Sequence, residues 1–289
     1  MASELQTGQG TGEGRPAATQ KFYQRFDRVD RVMHSLLMTT FLGCAITGVP
    51  LLFSDHGWAA ALARTFGGFE TTGLIHRICA VIMITVFFSH VARVFIVAIR
   101  RTGILATLWG PNSMTPQPQD AIDIWQHVLW FLGKGPRPQF DRYTYWEKFD
   151  YWAVFWGMFI IGGSGVLLWF PAQVAQVLPG WVFNVATVVH GEEALLAVGF
   201  IFTIHFFNSH LRPEKFPMDT VIFTGRISEH ELKDERPNEY RRLVSEGRLA
   251  EAEAPEPTRW TRMFGYIVGG TAVILGSAVI FLIGYSVLG

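Results

Sequence analysis

The chain of 289 residues carries 24 acidic and 24 basic side chains, and 49% of its residues are hydrophobic. A soluble protein of this length would form one large domain or two small ones, yet the apolar residues here are concentrated in five long runs with few charges. Each run approaches or exceeds the roughly 20 residues that a helix needs to cross the hydrocarbon core. The composition therefore excludes an ordinary soluble protein and predicts an all-α membrane bundle.

The predicted elements divide the chain into four parts. Residues 1–21 are rich in Gly, Thr and Gln and lack the apolar core of a signal peptide, so we expect a disordered segment. A four-helix membrane core is predicted for 22–211, a charged cytoplasmic segment for 212–262, and a fifth helix for 263–289. The predicted spans are 32–53, 74–99, 152–170, 182–207 and 264–288.

The basic residues predict the orientation of the bundle. All of them except Arg64 and Arg77 precede the first span or lie in the segments around 93–148 and 212–262. Because positively charged loops stay in the cytoplasm, we expect a multi-pass protein of the inner (cytoplasmic) membrane, with the N-terminus inside and the C-terminus outside. Within the first of these segments, 120–133 has apolar residues at helical spacing and is expected to lie in the membrane interface.

Two cysteines lie within the first and second predicted spans. Neither Cys44 nor Cys79 belongs to a C-x-x-C-H motif, which excludes covalent attachment of a c-type haem to this chain. We expect both to be small packing residues rather than a disulfide.

Five histidines lie in or at the predicted spans, where ionisable side chains usually face the interior and have a function. Two of them are 14 residues apart on the second span and two are 15 apart on the fourth, roughly 21 and 22 Å along helices that run in the same direction. Two levels with imidazoles from facing helices are typical of two b-type haems, whereas neither level collects the compact ligand set of a zinc site. The histidines are His34, His76, His90, His190 and His205.

The histidine spacing determines the ligands of the outer level but not those of the inner level. The outer level pairs His76 with His190, but His205 could share an inner haem with either His34 or His90, and the spacing does not choose. His210 is expected to be a solvated residue at the helix end, with a third haem as the alternative.

The first span resembles that of the cytochrome b subunit of membrane-bound formate dehydrogenases. The family has an Asp-Arg pair, a histidine three residues after the arginine, and a Ser/Thr-Gly pair that ends fourteen residues after the histidine. Asp30, Arg31, His34, Thr47 and Gly48 match this pattern in register.

Later parts of the chain resemble the same family, from residue 22 to 243. The second helix is similar around LIHR at His76, with Arg93 seventeen residues later, and the third from YTYWEKFDYW to GSGVLLWFP. The helix of His190 and the tail TGRISEHELKDERPNEYRRL are also similar. The resemblance implies His76 with His190 at an outer haem, His34 with His205 at an inner haem, and a menaquinone-type site beside the inner one.

The sequence departs from this family at several points. The histidine interval of the fourth helix is one residue longer, and 144–146 (Thr-Tyr-Trp) replaces an Asn-containing stretch near the family's quinone, so no quinone ligand is transferred. His90 is additional, and its pairing with His205 would be similar to the cytochrome b of quinol–cytochrome c oxidoreductases. Together with the fifth helix, these differences suggest a divergent branch, with a multihaem cytochrome as a candidate partner.

Four further charged residues are candidates for auxiliary roles. Arg77 and Arg93 could bind haem propionates, and Arg93 could equally be an interface anchor. Glu192 and Glu193 follow His190 on an apolar helix, where they could relay protons or pair with Arg77 or a partner subunit.

The function predicted from the sequence is electron transfer between membrane quinone (menaquinone or ubiquinone) and a catalytic or multihaem partner subunit, through two b-type haems. No nucleotide-binding, iron–sulfur or nucleophile motif is present, so no catalytic residue is assigned and any quinone reaction would be the only chemistry. The alternatives are a cofactor-free His/Glu proton-coupled transporter or channel and a stand-alone transmembrane reductase of the ascorbate type.

Overall fold

A computed structural model describes residues 20–288. The predicted disordered segment therefore lies outside the described residues except for positions 20 and 21. Within the described part, five helices are long and apolar enough to cross a membrane, which confirms the predicted all-α membrane bundle. These spans are Arg28–Leu52, Phe69–Thr102, Tyr145–Trp169, Trp181–Leu211 and Arg259–Leu288.

Shorter helices and three short strands connect the spans. The elements in chain order are β1 (Phe22–Gln24), α1 (Arg28–Leu52), α2 (Gly57–Thr65), α3 (Phe69–Val97), α4 (Ile104–Trp109), α5 (Pro118–Phe131), α6 (Tyr145–Gly157), α7 (Gly163–Trp169), α8 (Pro171–Val174), α9 (Trp181–Phe200), α10 (Val221–Thr224), β2 (Arg226–Ser228), α11 (Glu229–Glu235), α12 (Pro237–Ser245), β3 (Glu253–Ala254) and α13 (Arg259–Leu288).

Wider π-helical turns extend three of these helices. They continue α3 at Ala98–Thr102, join α6 to α7 at Met158–Gly162, and continue α9 at Ile201–His205 and Phe207–Leu211. A π-helical turn contains more residues than an α-helical one and often marks a functional position. Two of these turns lie next to side chains of the candidate site.

The helices α1, α9 and α13 share the largest apolar core, which includes Ala45, Phe202 and Ala272. The close approach of α13 depends on small residues, because a Cβ on Gly276 would lie only 2.6 Å from Phe202. Small residues at such contacts are common between membrane helices, since they let backbones approach closely. The fifth helix is therefore packed into the bundle at the side of α1 and α9.

The ends of the spans that carry most basic residues are covered by a folded layer, here called the basic cap (residues 20–27, 134–147 and 212–258). Its antiparallel sheet has the order β2-β1-β3, with Tyr23 opposite Ile227 and Glu253. The stretch around Glu253, within the predicted charged segment, thus supplies an edge strand. The charged segment 212–262 is a folded cover over the helix ends.

Buried ion pairs hold the basic cap together. Glu239 accepts hydrogen bonds from Arg25 Nη1 at 2.8 Å and Arg142 Nη1 at 2.9 Å. Burial alone would lower the pKa of Lys215, but Asp219 and Glu235 raise it above its ordinary value. Much of the basic charge of this layer is therefore neutralised internally.

The segment 120–133, predicted as an interfacial helix, corresponds to α5. Its polar residue Asp120 is buried and accepts from Lys148 Nζ at 2.8 Å, whereas Trp125 is 62% exposed and Phe131 is 73% exposed. This distribution, with polar side chains toward the protein and apolar ones away from it, suits a helix that lies in a membrane interface.

Candidate functional site

Two histidines from facing helices meet inside the bundle. The rings of His76 on α3 and His190 on α9 have centroids 6.2 Å apart and planes inclined at 77°. The structure thus brings together the two residues that the sequence places at one level. This arrangement is called the first pair below.

The same local contacts orient both rings of the first pair. The Nδ1 atom of His76 lies 3.2 Å from the carbonyl oxygen of Cys44 and from the hydroxyl of Thr47. The Nδ1 atom of His190 lies 2.9 Å from the carbonyl oxygen of Ile161 and 3.3 Å from the hydroxyl of Ser164. Because Nδ1–H donates to a carbonyl in each case, the other ring nitrogen, Nε2, is left as the basic atom that can bind a metal.

A glycine follows each of these hydroxyl residues and lies against the ring. A Cβ on Gly48 would lie 3.0 Å from His76 Cε1, and a Cβ on Gly165 would lie 3.0 Å from His190 Cε1. Any larger residue would therefore push the ring out of place. The Thr47-Gly48 pair on α1 and the Ser164-Gly165 pair on α7 thus support the two rings in equivalent ways.

The spacing of the first pair fits a single iron between two axial imidazoles. Metal–imidazole bonds of about 2 Å place the two nitrogens roughly 4 Å apart across the metal. Adding a ring radius of about 1 Å on each side gives a centroid separation of roughly 6 Å, close to the observed 6.2 Å. The ring separation, the free Nε2 atoms and the glycines beside the rings are all compatible with an axially ligated haem.

A second histidine level, formed by His34, His90 and His205, lies toward the basic cap. Arg93 Nη1 donates to Asp30 Oδ1 at 2.6 Å, and His90 and His34 each lie about one turn from one member of this ion pair. The two histidines are therefore at similar depth on α1 and α3.

The start of α6 connects His205 to the same level. His205 Nδ1 lies 2.9 Å from Asp150 Oδ2, and the next residue, Tyr151, has its hydroxyl 3.1 Å from His90 Nε2. The ring of His90 thus already has a partner at the nitrogen that would bind iron. The ring of His205 is also held through Nδ1, but by a side-chain carboxylate where the first pair meets backbone carbonyls.

The rings of His34 and His90 differ in the partners that they meet at the second level. His34 lies on α1, which packs against α9, the helix whose π-helical continuation carries His205. The Nδ1 atoms of His34 and His210 are buried without a hydrogen-bond partner in the described part of the chain. At this level, therefore, the ring of His34 has an unpaired nitrogen among the described residues, whereas the ring of His90 is engaged by Tyr151.

The longer histidine interval of the fourth helix has a structural explanation. The π-helical turn Ile201–His205 ends at the second histidine of that helix. Such a turn takes up an additional residue, so His205 remains on the helix side that faces α6 and Asp150. One inserted residue has therefore not removed His205 from the bundle interior.

The two candidate arginines differ in their surroundings. Arg93 is paired with Asp27 and Asp30 and ties α3 to the start of α1, which favours the anchoring role. Arg77 donates from Nε to the carbonyl oxygen of Gly73 at 3.1 Å and stacks over Trp169 at 5.8 Å. Of the two, Arg77 is the better candidate for an anionic group beside the first pair.

The two carboxylates after His190 lie at the rim of the bundle. Glu192 is exposed, and Glu193 accepts a hydrogen bond from Trp156 Nε1 at 3.2 Å. Their neighbours on this face, Val188 and Leu196, are exposed and apolar. Glu192 therefore faces away from the histidine pair, whereas Glu193 is half-buried against Trp156.

Sequence reasoning missed Asp150, Tyr151 and Ser164. The repeated hydroxyl–glycine pair on α1 and α7 could have revealed Ser164, because Thr47-Gly48 was already recognised. An acidic residue within an apolar span was the available signal for Asp150. No periodicity distinguishes Tyr151 from the other aromatic residues of α6.

The comparisons with known proteins agree with a haem-binding bundle. The family model described as prokaryotic cytochrome b561 matches residues 25–209, which is more than half of the chain and includes both histidine levels. A search of curated proteins found no match. The family model supports a b-type cytochrome and does not single out the formate dehydrogenase subunits. The chain therefore belongs to the prokaryotic cytochrome b561 family of membrane-embedded, b-type haem electron-transfer proteins.

Proposed function

We propose that this protein is a di-haem relay that carries electrons between membrane quinone and a partner oxidoreductase or multihaem cytochrome. The observation that carries the proposal is the first pair, whose rings lie 6.2 Å apart with both Nδ1 atoms engaged. In this proposal His76 and His190 are the axial ligands of one haem. The family assignment favours this function over a cofactor-free transporter.

For the second haem we propose His34 and His205 as ligands. Two observations support this choice: the ring of His34 is buried with Nδ1 unpaired among the described residues, whereas His90 Nε2 already contacts the hydroxyl of Tyr151. The match to formate dehydrogenase subunits around His34 favours the same pair. His90 would then contribute a hydrogen bond near the second haem rather than a bond to its iron.

The haem irons, when bound, supply one-electron redox chemistry at the two levels. The protein's own contribution is to present neutral imidazoles at fixed positions, to orient them through Nδ1, and to exclude water with apolar helices. The levels are about 21 Å apart along α3, measured as 14 residues between His76 and His90. Two levels connect opposite sides of the bundle, as a transmembrane relay needs.

Quinone is proposed as the membrane partner because the resemblance implies it and because the residues suggest no other substrate chemistry. We place its site beside the second haem, and take the cytoplasmic membrane, with the basic cap inside the cell, as its setting. A stand-alone reductase remains the second candidate, since the basic cap neutralises much of its own charge.

The test is the optical spectrum and haem content of the full-length purified protein, followed by addition of a reduced menaquinone analogue. We expect about two haems b per chain and their reduction by the quinol. A folded, haem-free protein would overturn the haem proposal. If ascorbate reduces both haems but the quinol does not, the result would favour the stand-alone reductase.

A further inference from the structure

We propose that Asp150 is a positioning residue that lowers the reduction potential of the second haem by increasing the donor strength of its ligand His205. The inference rests on the proposed function, because it requires His205 to bind iron. It concerns one hydrogen bond that differs in kind from those of the first pair.

The difference lies in the acceptor that each ligand meets at Nδ1. His76 and His190 face neutral acceptors, the backbone carbonyls of Cys44 and Ile161. His205 faces a carboxylate, with Asp150 Oδ2 at 2.9 Å. The side chains of Asp150 and His205 are 17% and 25% exposed, so solvent screens this contact only in part.

The charge of Asp150 is directed mainly at His205. The second carboxylate oxygen, Oδ1, is buried and has no hydrogen-bond partner among the described residues. The nearby acidic residue Glu147, in contrast, pairs with Arg236 at 2.8 Å. The carboxylate of Asp150 is thus not neutralised by an arginine in the way that its neighbour on α6 is.

A carboxylate acceptor makes an imidazole ligand more basic than a carbonyl acceptor does, because it stabilises positive charge on the ring. A more basic axial ligand favours the oxidised, more positive iron, and hydrogen bonding around the ligands is one of the protein's means of setting haem potential. Low polarity around the pair strengthens the effect. Replacing the carboxylate by a neutral acceptor should therefore raise the potential of the second haem.

The decisive variant is Asp150→Asn, which can keep an oxygen acceptor near Nδ1 while removing the charge. Potentiometric titration of the full-length protein should show two haems, with the second shifted to higher potential and the first unchanged. Asp150→Glu should return the second haem toward the wild-type value. Asp55→Asn, a carboxylate-to-amide change at an 82% exposed side chain, is the matched control and should move neither.

Three outcomes would overturn the inference. The first is an unchanged potential of the second haem in Asp150→Asn, and the second is an equal shift in the potentials of both haems. The third is loss of the second haem in Asp150→Asn, because the contact would then be needed to hold the haem rather than to set its potential. The low-spin resonance spectrum of the second haem provides an independent readout, because a weaker ligand should change its g-values. A wild-type protein without haem would contradict the proposed function itself, whereas the three outcomes above contradict only the role of Asp150.

Discussion

The first pair and the second histidine level differ in what holds their rings. In the first pair, both rings contact a backbone carbonyl, a hydroxyl and a glycine in the same order, on α1 for His76 and along the π-helical turn into α7 for His190. At the second level, His205 is held by the side chain of Asp150, while His34 Nδ1 has no partner among residues 20–288. A backbone carbonyl can orient a histidine ring whatever the neighbouring side chains are. A ring that is oriented by a carboxylate, in contrast, can be altered by substituting that one residue.

The largest expected effect is removal of a ligand from the first pair. His76→Ala or His190→Ala should reduce the haem content from about two to about one per chain, because one of two axial bonds is lost. Pyridine haemochrome analysis of the purified variants measures this directly. His127→Ala, which alters a histidine in α5 outside both levels, is the control and should keep both haems. Full haem content in both variants would remove the first pair as a haem site.

The second prediction concerns the level where two pairings compete. His34→Ala should abolish the signal of the second haem, whereas His90→Ala should retain it and shift its potential or impair quinol oxidation. The reason is that His90 Nε2 already contacts the hydroxyl of Tyr151 at 3.1 Å. Spectra and redox titrations of the two variants separate the cases.

The reverse result at the second level would favour ligation by His90 and His205. Loss of one haem in each variant separately, from a total of three, would support the three-haem alternative. Either result would contradict the assignment of His34 as the ligand and of His90 as a residue engaged by Tyr151.

A smaller effect is expected from crowding the first pair without removing a ligand. Gly165→Ala places a Cβ 3.0 Å from His190 Cε1, and overpacking of this kind costs about 1–3 kcal/mol. We expect weaker retention of the first haem by about 5- to 150-fold, measured by haem transfer to an acceptor protein. The matched control is Gly163→Ala, two residues earlier, where the added Cβ meets nothing within 4 Å. Equal haem loss in the two variants would show that the close approach at Gly165 has no role.

The sequence predicts the first pair better than it predicts the contacts of the second level. The five spans and the partnership of His76 with His190 followed from hydropathy and from intervals on helices that run in the same direction. The contact of Asp150 with His205 could not be predicted, because it depends on how α6 rotates against α9 and on the π-helical turn at Ile201–His205. The β-sheet of the basic cap was missed for a related reason: its strands have only two or three residues and pair across more than 200 positions.

The most direct test of the account is a potentiometric titration of the full-length wild-type protein, followed in the haem absorption band. Two different environments at His190 and His205 should give two separate one-electron steps with the lower potential at the second haem. A single step from two equivalent haems, or a titration that accounts for only one haem per chain, would contradict it.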